Sequence, residues 1–102
     1  MAKQVVWDKS ASDDMHQIYN FLLGISETYA DAVLEAVFEG ANLIEKFPFI
    51  GRVTPELNLP SIRELVIQKY RIIYFVSESP EIRIITVRHS SKPLSDIPFS
   101  GK

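Results

Sequence analysis

Residues 62–76 constrain the fold of this chain more than any other stretch, because they are rich in Ile, Val, Tyr and Phe and are interrupted only once. Such residues suit the pleated, packed surface of a β-sheet. The interruption is Gln68-Lys69, two polar residues at which a tight turn can reverse the chain. We therefore predict a β-hairpin at the centre of a sheet, with strands at residues 62–67 and 70–76.

Residues 4–7 form a short apolar run that predicts a first strand. Apolar residues then recur at helical spacing, which predicts a helix over residues 9–23. Asp8 or Ser10 offers its N-cap, and Gly24 ends it. The periodic positions are Ala11, Met15, Ile18, Tyr19 and Leu22.

A second helix follows after a short link, with Ser26 as its capping residue. The helical pattern continues to Lys46 and ends before Pro48. Its apolar stripe comprises Ala30, Val33, Leu34, Val37, Phe38, Ala41 and Ile44. Because such a short link makes two helices pack side by side, we expect an antiparallel helical hairpin with one apolar side.

The remaining segments connect and complete the sheet. Residues 47–52 are predicted to form a turn with aromatic anchors, in which Gly51 adopts a backbone conformation that a side chain would resist. Residues 53–61 contain two prolines and are predicted to form a surface connection, and residues 82–89 to form a last strand. The tail from residue 90 onward contains two further prolines, which exclude one regular helix.

The predicted order of elements is β-α-α-β-β-β. This order defines an α+β fold, in which a helical hairpin packs on one face of an antiparallel sheet. The chain has 102 residues, without repeats or low-complexity tracts. We therefore expect a single domain over residues 1–102.

Composition removes several classes of function. The chain has no cysteine, which excludes a disulfide framework, a thiolate zinc site and a cysteine nucleophile. Its two histidines are not spaced with Asp or Glu as metal ligands are, so we expect no metal and no cofactor. The N-terminal residues show no basic flank followed by an apolar run, so no signal peptide is expected. No apolar stretch reaches the roughly 20 residues of a membrane-spanning helix. A cytoplasmic protein without membrane contact is expected.

Charge is distributed unevenly along the chain. Residues 1–51 carry three bases and eight acids, a net charge of −5, whereas residues 52–102 carry eight bases and five acids, a net charge of +3. The overall charge of −2 argues against bulk binding of nucleic acid, and we expect no direct binding of DNA. An anionic partner is expected to contact the C-terminal half, unless the helices simply carry their acids on solvated faces.

The predicted strands have apolar residues on both faces, where a half-buried sheet would alternate. In the first hairpin strand, Leu65 and Ile67 share a face with Arg63, opposite Ile62 and Val66. The other strands follow the same pattern: Ile73 and Phe75 lie with Arg71, opposite Ile72, Tyr74 and Val76, while Ile82 and Ile84 oppose Ile85 and Val87.

One helical hairpin can cover only one of these faces. The tail supplies three sizeable apolar side chains, Leu94, Ile97 and Phe99, which can fold back over the other face. The alternative is a bound protein, because monomers seldom expose large apolar patches. We favour a partner that covers at least part of this face.

A set of short motifs runs through the chain: Ala11 with Asp13-Asp14-Met15, Ile18-Tyr19, Leu43-Ile44, Pro48 with Gly51-Arg52, Ile62-Arg-Glu-Leu65, Tyr70-Arg-Ile-Ile-Tyr74 and Val87-Arg-His89. Together these motifs resemble the RelE/ParE superfamily of bacterial toxins, and in particular its ParE, or plasmid-stabilisation, branch. The resemblance covers nearly the whole chain in the same order of elements.

This resemblance implies the toxin of a type II toxin–antitoxin pair, with a cognate antitoxin that wraps around it and covers its apolar surface. ParE-type members inhibit DNA gyrase, whereas RelE-type members cut messenger RNA in the ribosome. The implied function is therefore a gyrase inhibitor that acts by protein contact. A RelE-like endonuclease is the first alternative, and a non-toxic member that only binds its antitoxin is the second.

A ribonuclease needs a base, an acid and cations that stabilise charge on the phosphate. The candidates are Arg71, which occupies the family position of a phosphate-holding arginine, His89 at a strand end, and Lys92. RelE-like nucleases carry further basic residues. Here residues 53–61 contain no Lys or Arg, and residues 90–94 contain no Arg or Tyr. This departure favours a toxin that is not an enzyme.

Structural roles are open for the same residues. Arg71 pairs either with an acid such as Glu64 or Glu56, or with the target or antitoxin. His89 either hydrogen-bonds to the tail or serves the function, and His16 is expected on the solvated surface. The predicted partner-binding residues are Arg63, Leu65, Arg71, Ile73, Phe75, Arg88 and His89.

Overall fold

The structure, a computed structural model, describes residues 3–94. Within that range the elements are β1 (Gln4–Trp7), α1 (Lys9–Leu23), α2 (Glu27–Lys46), β2 (Arg52–Val53), β3 (Ile62–Ile67), β4 (Tyr70–Phe75) and β5 (Glu81–His89). The predicted α+β fold is confirmed, with a helical hairpin packed on one face of a single sheet. The helices and the predicted strands begin and end within one residue of their expected bounds.

The strand order in the sheet is β1-β5-β4-β3-β2. The pairs from β2 to β5 are antiparallel, as expected, but β1 lies parallel to β5, with Val5 opposite Ile82. The sheet is therefore mixed and not wholly antiparallel. A parallel pair needs a long connection, which the helical hairpin and the other strands provide. The apolar pattern of β1 carries no signal for its direction.

An additional short strand, β2, extends the sheet beyond β3. It falls where a turn and a surface connection were expected, and it places Arg52 opposite Glu64. Two residues are too few to show the alternation on which strand prediction depends. Next to β2, the backbone N–H of Thr54 donates to the Ile62 carbonyl oxygen, so the connection begins as a continuation of the sheet.

The helix caps follow the prediction in part. The Ser26 hydroxyl accepts a hydrogen bond from the backbone N–H of Tyr29 and caps α2. Asp8 occupies the N-cap position of α1 but forms no side-chain cap. Its carboxylate instead receives two hydrogen bonds from Arg83 on β5. This acid therefore joins the start of α1 to the sheet.

The hairpin between β3 and β4 turns at Gln68 and Lys69, as predicted. Both residues have positive φ angles, of 52° and 69°. Two consecutive residues in this region give a turn whose twist suits a two-residue hairpin. Neither is a glycine or asparagine, which adopt this region at least cost, so the turn holds backbone strain.

The turn after α2 is anchored to the sheet through Tyr74. The Tyr74 hydroxyl donates to the Pro48 carbonyl oxygen at 2.8 Å and accepts from the Gly51 N–H at 2.9 Å. The expected reason for glycine at position 51 was wrong, because its φ is not left-handed. Space is the reason: a Cβ there would lie 2.5 Å from the Glu64 carbonyl oxygen.

A β-bulge in β5 changes the face on which the end of this strand lies. The register with β4 shifts between Ile73 and Tyr74, which leaves Ile85 as an extra residue. Val87 was expected on the same face as Ile85, and this expectation is wrong. Val87 packs in the core under the helices, because an inserted residue reverses the alternation beyond it.

The main core lies between the helical hairpin and the sheet, where Ile72 and Ile84 face the helices. Gly40 permits the close approach of α2, since a Cβ at this position would lie 3.0 Å from Ile72 Cδ1 and 3.2 Å from Ile67 Cγ1. Phe38 was expected in the buried stripe of α2 but is 48% exposed. The apolar stripe is wider than the part of the helix that meets the sheet.

A second, smaller cluster lies on the opposite face of the sheet. Its buried members are Ile62, Ile73, Ile85 and Leu94. Leu57, from the connection after β2, packs against them together with Phe75. Of the three tail residues considered as a cover, Leu94 takes this role, and Ile97 and Phe99 lie outside the described residues. The chain itself therefore closes the centre of this face.

Candidate functional site

Arg71 is the centre of an ion-pair network on the second face of the sheet. Its Nε donates to Glu64 Oε1 at 2.6 Å, and its two Nη atoms donate to the carboxylate oxygens of Glu56 at 2.9 and 2.8 Å. Nη1 also donates to the carbonyl oxygen of Lys92 at 3.2 Å. Arg52 contacts the other carboxylate oxygen of Glu64 from the edge strand.

Burial determines what Arg71 can do. The side chains of Arg71 and Glu64 are 7% and 1% exposed, and charges so far from water need close partners. The hydrogen bond with Glu56 raises the pKa of Arg71, and Glu64 raises it further, while burial acts in the opposite direction. The same contact with Arg71 lowers the pKa of Glu56. The pairing of Arg71 with these two acids, one of two alternatives from the sequence, is confirmed.

Arg63 and Leu65 lie on the helix side of the sheet. The Arg63 guanidinium stacks over the Phe49 ring, 4.8 Å from its centre. It also donates to the carbonyl oxygens of Gly51 and Pro60, and so holds the turn after α2 against β3. Leu65 packs against the main core.

Ile73, Phe75 and Arg88 lie on the same face as the ion-pair network. Ile73 is fully buried, so it belongs to the packing and not to a surface. Phe75 is half-buried, with the Arg83 guanidinium 6.0 Å from its ring centre. Arg88 donates to the Pro93 carbonyl oxygen at 2.7 Å, which holds the segment after β5 in place.

His89 and Lys92 line a cleft between α1 and the ends of β4 and β5, which we call the His89 cleft; its volume is about 630 Å³. The His89 ring meets Tyr70 edge to face, 5.4 Å between centres. Successive residues of a strand point to opposite faces, so Tyr70 and its partner His89 lie on the other side of the sheet from Arg71. The structure therefore does not bring the Arg71 guanidinium and His89 together as a nuclease site.

The helices form an apolar groove that sequence reasoning missed. This helical-hairpin groove has a volume of about 530 Å³ and is lined by Trp7, Ser12, Met15, His16, Tyr19, Leu34 and Phe38. Trp7 and Phe38 meet edge to face at 5.6 Å between ring centres. His16 is exposed, as predicted. The sequence did contain one signal for this groove, the width of the apolar stripe on α2. Residues at the margin of so wide a stripe cannot all face the sheet.

Acidic residues flank this groove along α2. Four of them follow one another at four-residue spacing, which places them along one side of the helix: Glu27, Asp31, Glu35 and Glu39. The Tyr19 hydroxyl on α1 donates to Asp31 at 2.7 Å, which raises the pKa of the tyrosine. This bridge places the acidic row beside the groove. No Lys or Arg occurs on α2 before Lys46.

Within residues 3–94, no three His, Asp or Glu side chains stand close enough together to hold a metal ion. In the same range, neither helix is both long enough and apolar enough to span a lipid bilayer.

Two solved structures of toxin–antitoxin systems are similar in fold. A chain of the chromosomal ParDE system from P. aeruginosa is 18% identical, with 86% of this chain and 96% of that chain covered and a TM-score of 0.72. A chain of the RelBE2 toxin–antitoxin complex from Mycobacterium tuberculosis is also 18% identical, with coverages of 87% and 99% and a TM-score of 0.60. These likenesses show that the chain has the same fold as these two proteins.

Comparison with curated protein sequences gives no significant match. A family model does match over residues 5–94, that of the ParE toxin of the type II toxin–antitoxin system, parDE. The match extends from β1 to the residue that closes the second face of the sheet. The chain therefore belongs to the ParE toxin family, the branch that its motifs indicated.

Proposed function

We propose that this ParE-family toxin inhibits DNA gyrase by direct contact and is neutralised by a cognate antitoxin. Gyrase is the target that the ParE branch implies, and such a target places the protein in the cytoplasm, with plasmid stabilisation as its expected role. The observation that carries the proposal is the state of Arg71. Its guanidinium is bound by Glu64 and Glu56 and is not free to hold a phosphate.

The energetics of this network disfavour the endonuclease alternative. A catalytic cation stabilises a phosphate best when it is aimed at the reacting group before the reaction. To free Arg71, Glu64 would have to remain buried without its main cation, which costs about 3–5 kcal/mol. This cost supports a mode of action that requires no phosphate contact at Arg71.

We propose the helical-hairpin groove as the surface that the antitoxin covers. The groove is apolar, with Phe38 half exposed at its margin, and apolar surface of this kind marks interaction sites. Because complementary charges favour association, we expect the antitoxin segment that covers the groove to carry Lys or Arg opposite the acidic row along α2. Both similar structures come from toxin–antitoxin systems, which supports a partner of this kind.

Induced expression without the antitoxin tests the mode of action, with DNA synthesis and protein synthesis followed separately. Early loss of DNA synthesis while translation continues is the expected result. Early loss of translation with cut messages would contradict it and favour the RelE-like endonuclease. Growth that is unaffected would identify a member that only binds its antitoxin.

Affinity for the antitoxin, the product expected from the neighbouring gene, tests the groove. Phe38→Ala and Glu35→Lys are each expected to weaken binding by about tenfold, the effect of losing about 1.4 kcal/mol. Val66→Ala and Glu78→Lys are matched controls, since both residues are exposed and lie away from the groove. Equal losses in the controls, or none in the groove variants, would remove the groove from the interface.

A further inference from the structure

The His89 cleft shares no lining residue with the helical-hairpin groove, and its side chains suit a particular ligand. We propose that this cleft binds a nucleoside monophosphate, either free or at the end of a nucleic acid. Its volume of about 630 Å³ lies within the range of small-molecule sites. Three observations carry the proposal: an aromatic wall, exposed polar side chains, and the arrangement of charge.

The aromatic wall suits a flat base. Phe21 projects from α1 and is 68% exposed, although nothing in the packing of α1 requires a phenylalanine there. Tyr70 and Ile18 complete the apolar lining. Bases stack on aromatic rings in many nucleotide and single-strand sites. A bound base would cover the exposed ring and contact the wall opposite.

Two of the polar side chains that line the cleft, those of Gln17 and Lys92, are exposed to solvent. Lys92 forms no ion pair within residues 3–94, and over the same range Gln17 forms no side-chain hydrogen bond. The His89 Nδ1 is engaged by Ser91, whose backbone N–H lies at 3.1 Å and whose Oγ lies at 2.8 Å, which leaves Nε2 as the ring nitrogen that can donate to a ligand. Nε2–H and the Lys92 ammonium can donate to a phosphate, and the Gln17 amide can pair with a base edge.

The distribution of charge indicates which end of the cleft binds the phosphate group. Asp14 is the acid among the lining side chains, and it has a structural task. β1 ends at Trp7, opposite Ile84, so beyond this residue β5 is paired with β4 on one side and has no strand on the other. On that open side the Asp14 carboxylate accepts the Val87 N–H at 3.2 Å and the Thr86 hydroxyl. The phosphate is therefore placed at Lys92 and His89, and the base towards Phe21.

Titration of the ¹⁵N-labelled protein with AMP, followed by NMR, tests the proposal. The amide signals of Gln17, Phe21 and Lys92 are expected to shift and to saturate. Adenosine and inorganic phosphate should each bind at least about tenfold more weakly, because each lacks one half of the contacts. The dinucleotide ApA distinguishes the sources: tighter binding than AMP identifies a nucleic-acid end, and weaker binding identifies the free nucleotide.

Matched variants locate the site. Phe21→Ala and Lys92→Ala are each expected to weaken AMP binding by about tenfold. Phe47→Ala and Lys46→Ala remove an exposed ring and an exposed ammonium elsewhere and should leave it unchanged. The proposal is overturned if AMP gives no saturable shifts in the cleft, if phosphate alone binds as well as AMP, or if the control variants weaken binding equally.

Discussion

Replacing Arg71 by methionine tests whether this arginine holds the fold together. Methionine keeps the aliphatic part of the side chain but removes the guanidinium. Glu64 then retains only Arg52, whose side chain is 69% exposed, while Glu56 loses less because its own side chain is 35% exposed. Loss of one partner of a buried ion pair costs about 3–5 kcal/mol. Since Arg52 remains, we expect the lower end of that range, about 3 kcal/mol.

Urea denaturation and thermal melting, both followed by circular dichroism, measure this loss. For a domain of this size a loss of 3 kcal/mol lowers Tm by about 12–24 °C. The double variant Arg71→Met/Glu64→Met removes the buried carboxylate as well and should recover most of the stability. Arg83→Met, which breaks the more exposed pair with Asp8, is the control and should cost about 1 kcal/mol or less.

Two results would refute this reasoning. The first is an Arg71→Met protein that is as stable as the Arg83→Met control, since the buried network would then contribute little. The second is a double variant that is less stable than Arg71→Met alone, since the buried carboxylate of Glu64 would then not be the source of the loss.

Three further substitutions test other parts of the structure. Gly51→Ala places a Cβ 2.5 Å from a backbone oxygen, and urea denaturation should show a loss of about 3 kcal/mol or more; a stability equal to that of Gly24→Ala would contradict this. Lys69→Gly relieves a φ of 69°, so thermal melting should show a gain of about 1 kcal/mol, and a loss would refute the strained turn. Glu56 has a folded pKa below its ordinary value of 4.5, so its charged form stabilises the fold above that value, and this contribution disappears as the pH falls through the folded pKa. Glu56→Gln should therefore be less stable than the unchanged protein at neutral pH but equal to it in strong acid, and a gap that persists across the pH range in thermal melts would contradict this.

The sequence predicts the elements of this fold well where the signal is local. Helical spacing and the Ser26 cap locate α2, and the polar pair Gln68-Lys69 locates the hairpin turn. Each of these signals depends on residues a few positions apart, which contact one another whatever the rest of the chain does. The helical hairpin and the strand order along the chain follow from them.

Features that depend on contacts distant in sequence could not be predicted in the same way. The parallel direction of β1 is set by its pairing with β5, in which each residue lies opposite one that comes 77 positions later, such as Gln4 opposite Glu81. The four residues of β1 contain no signal for this direction. The bulge at Ile85 is likewise a property of two strands and not of one, and it reversed the predicted face of Val87.

The residues of the candidate site show the same difference between local signals and contacts distant in sequence. Arg71 was recognised from its position in a motif, but its pairing with Glu64 and Glu56 depends on the sheet and on the connection after β2, which bring these acids to it. The predicted partner surface combined residues that the sheet places on opposite faces, because Arg63 and Arg71 carry no mark of the side they occupy. The helical-hairpin groove was missed because Phe38 fits an apolar stripe equally well whether it is buried or exposed.

The most direct test of the proposed mode of action is a supercoiling assay with purified gyrase, relaxed plasmid DNA and this protein. The protein is expected to inhibit supercoiling as its concentration approaches that of gyrase, and equimolar antitoxin is expected to restore it. Full supercoiling in excess protein, together with cleavage of messenger RNA on translating ribosomes, would show that gyrase is not the target.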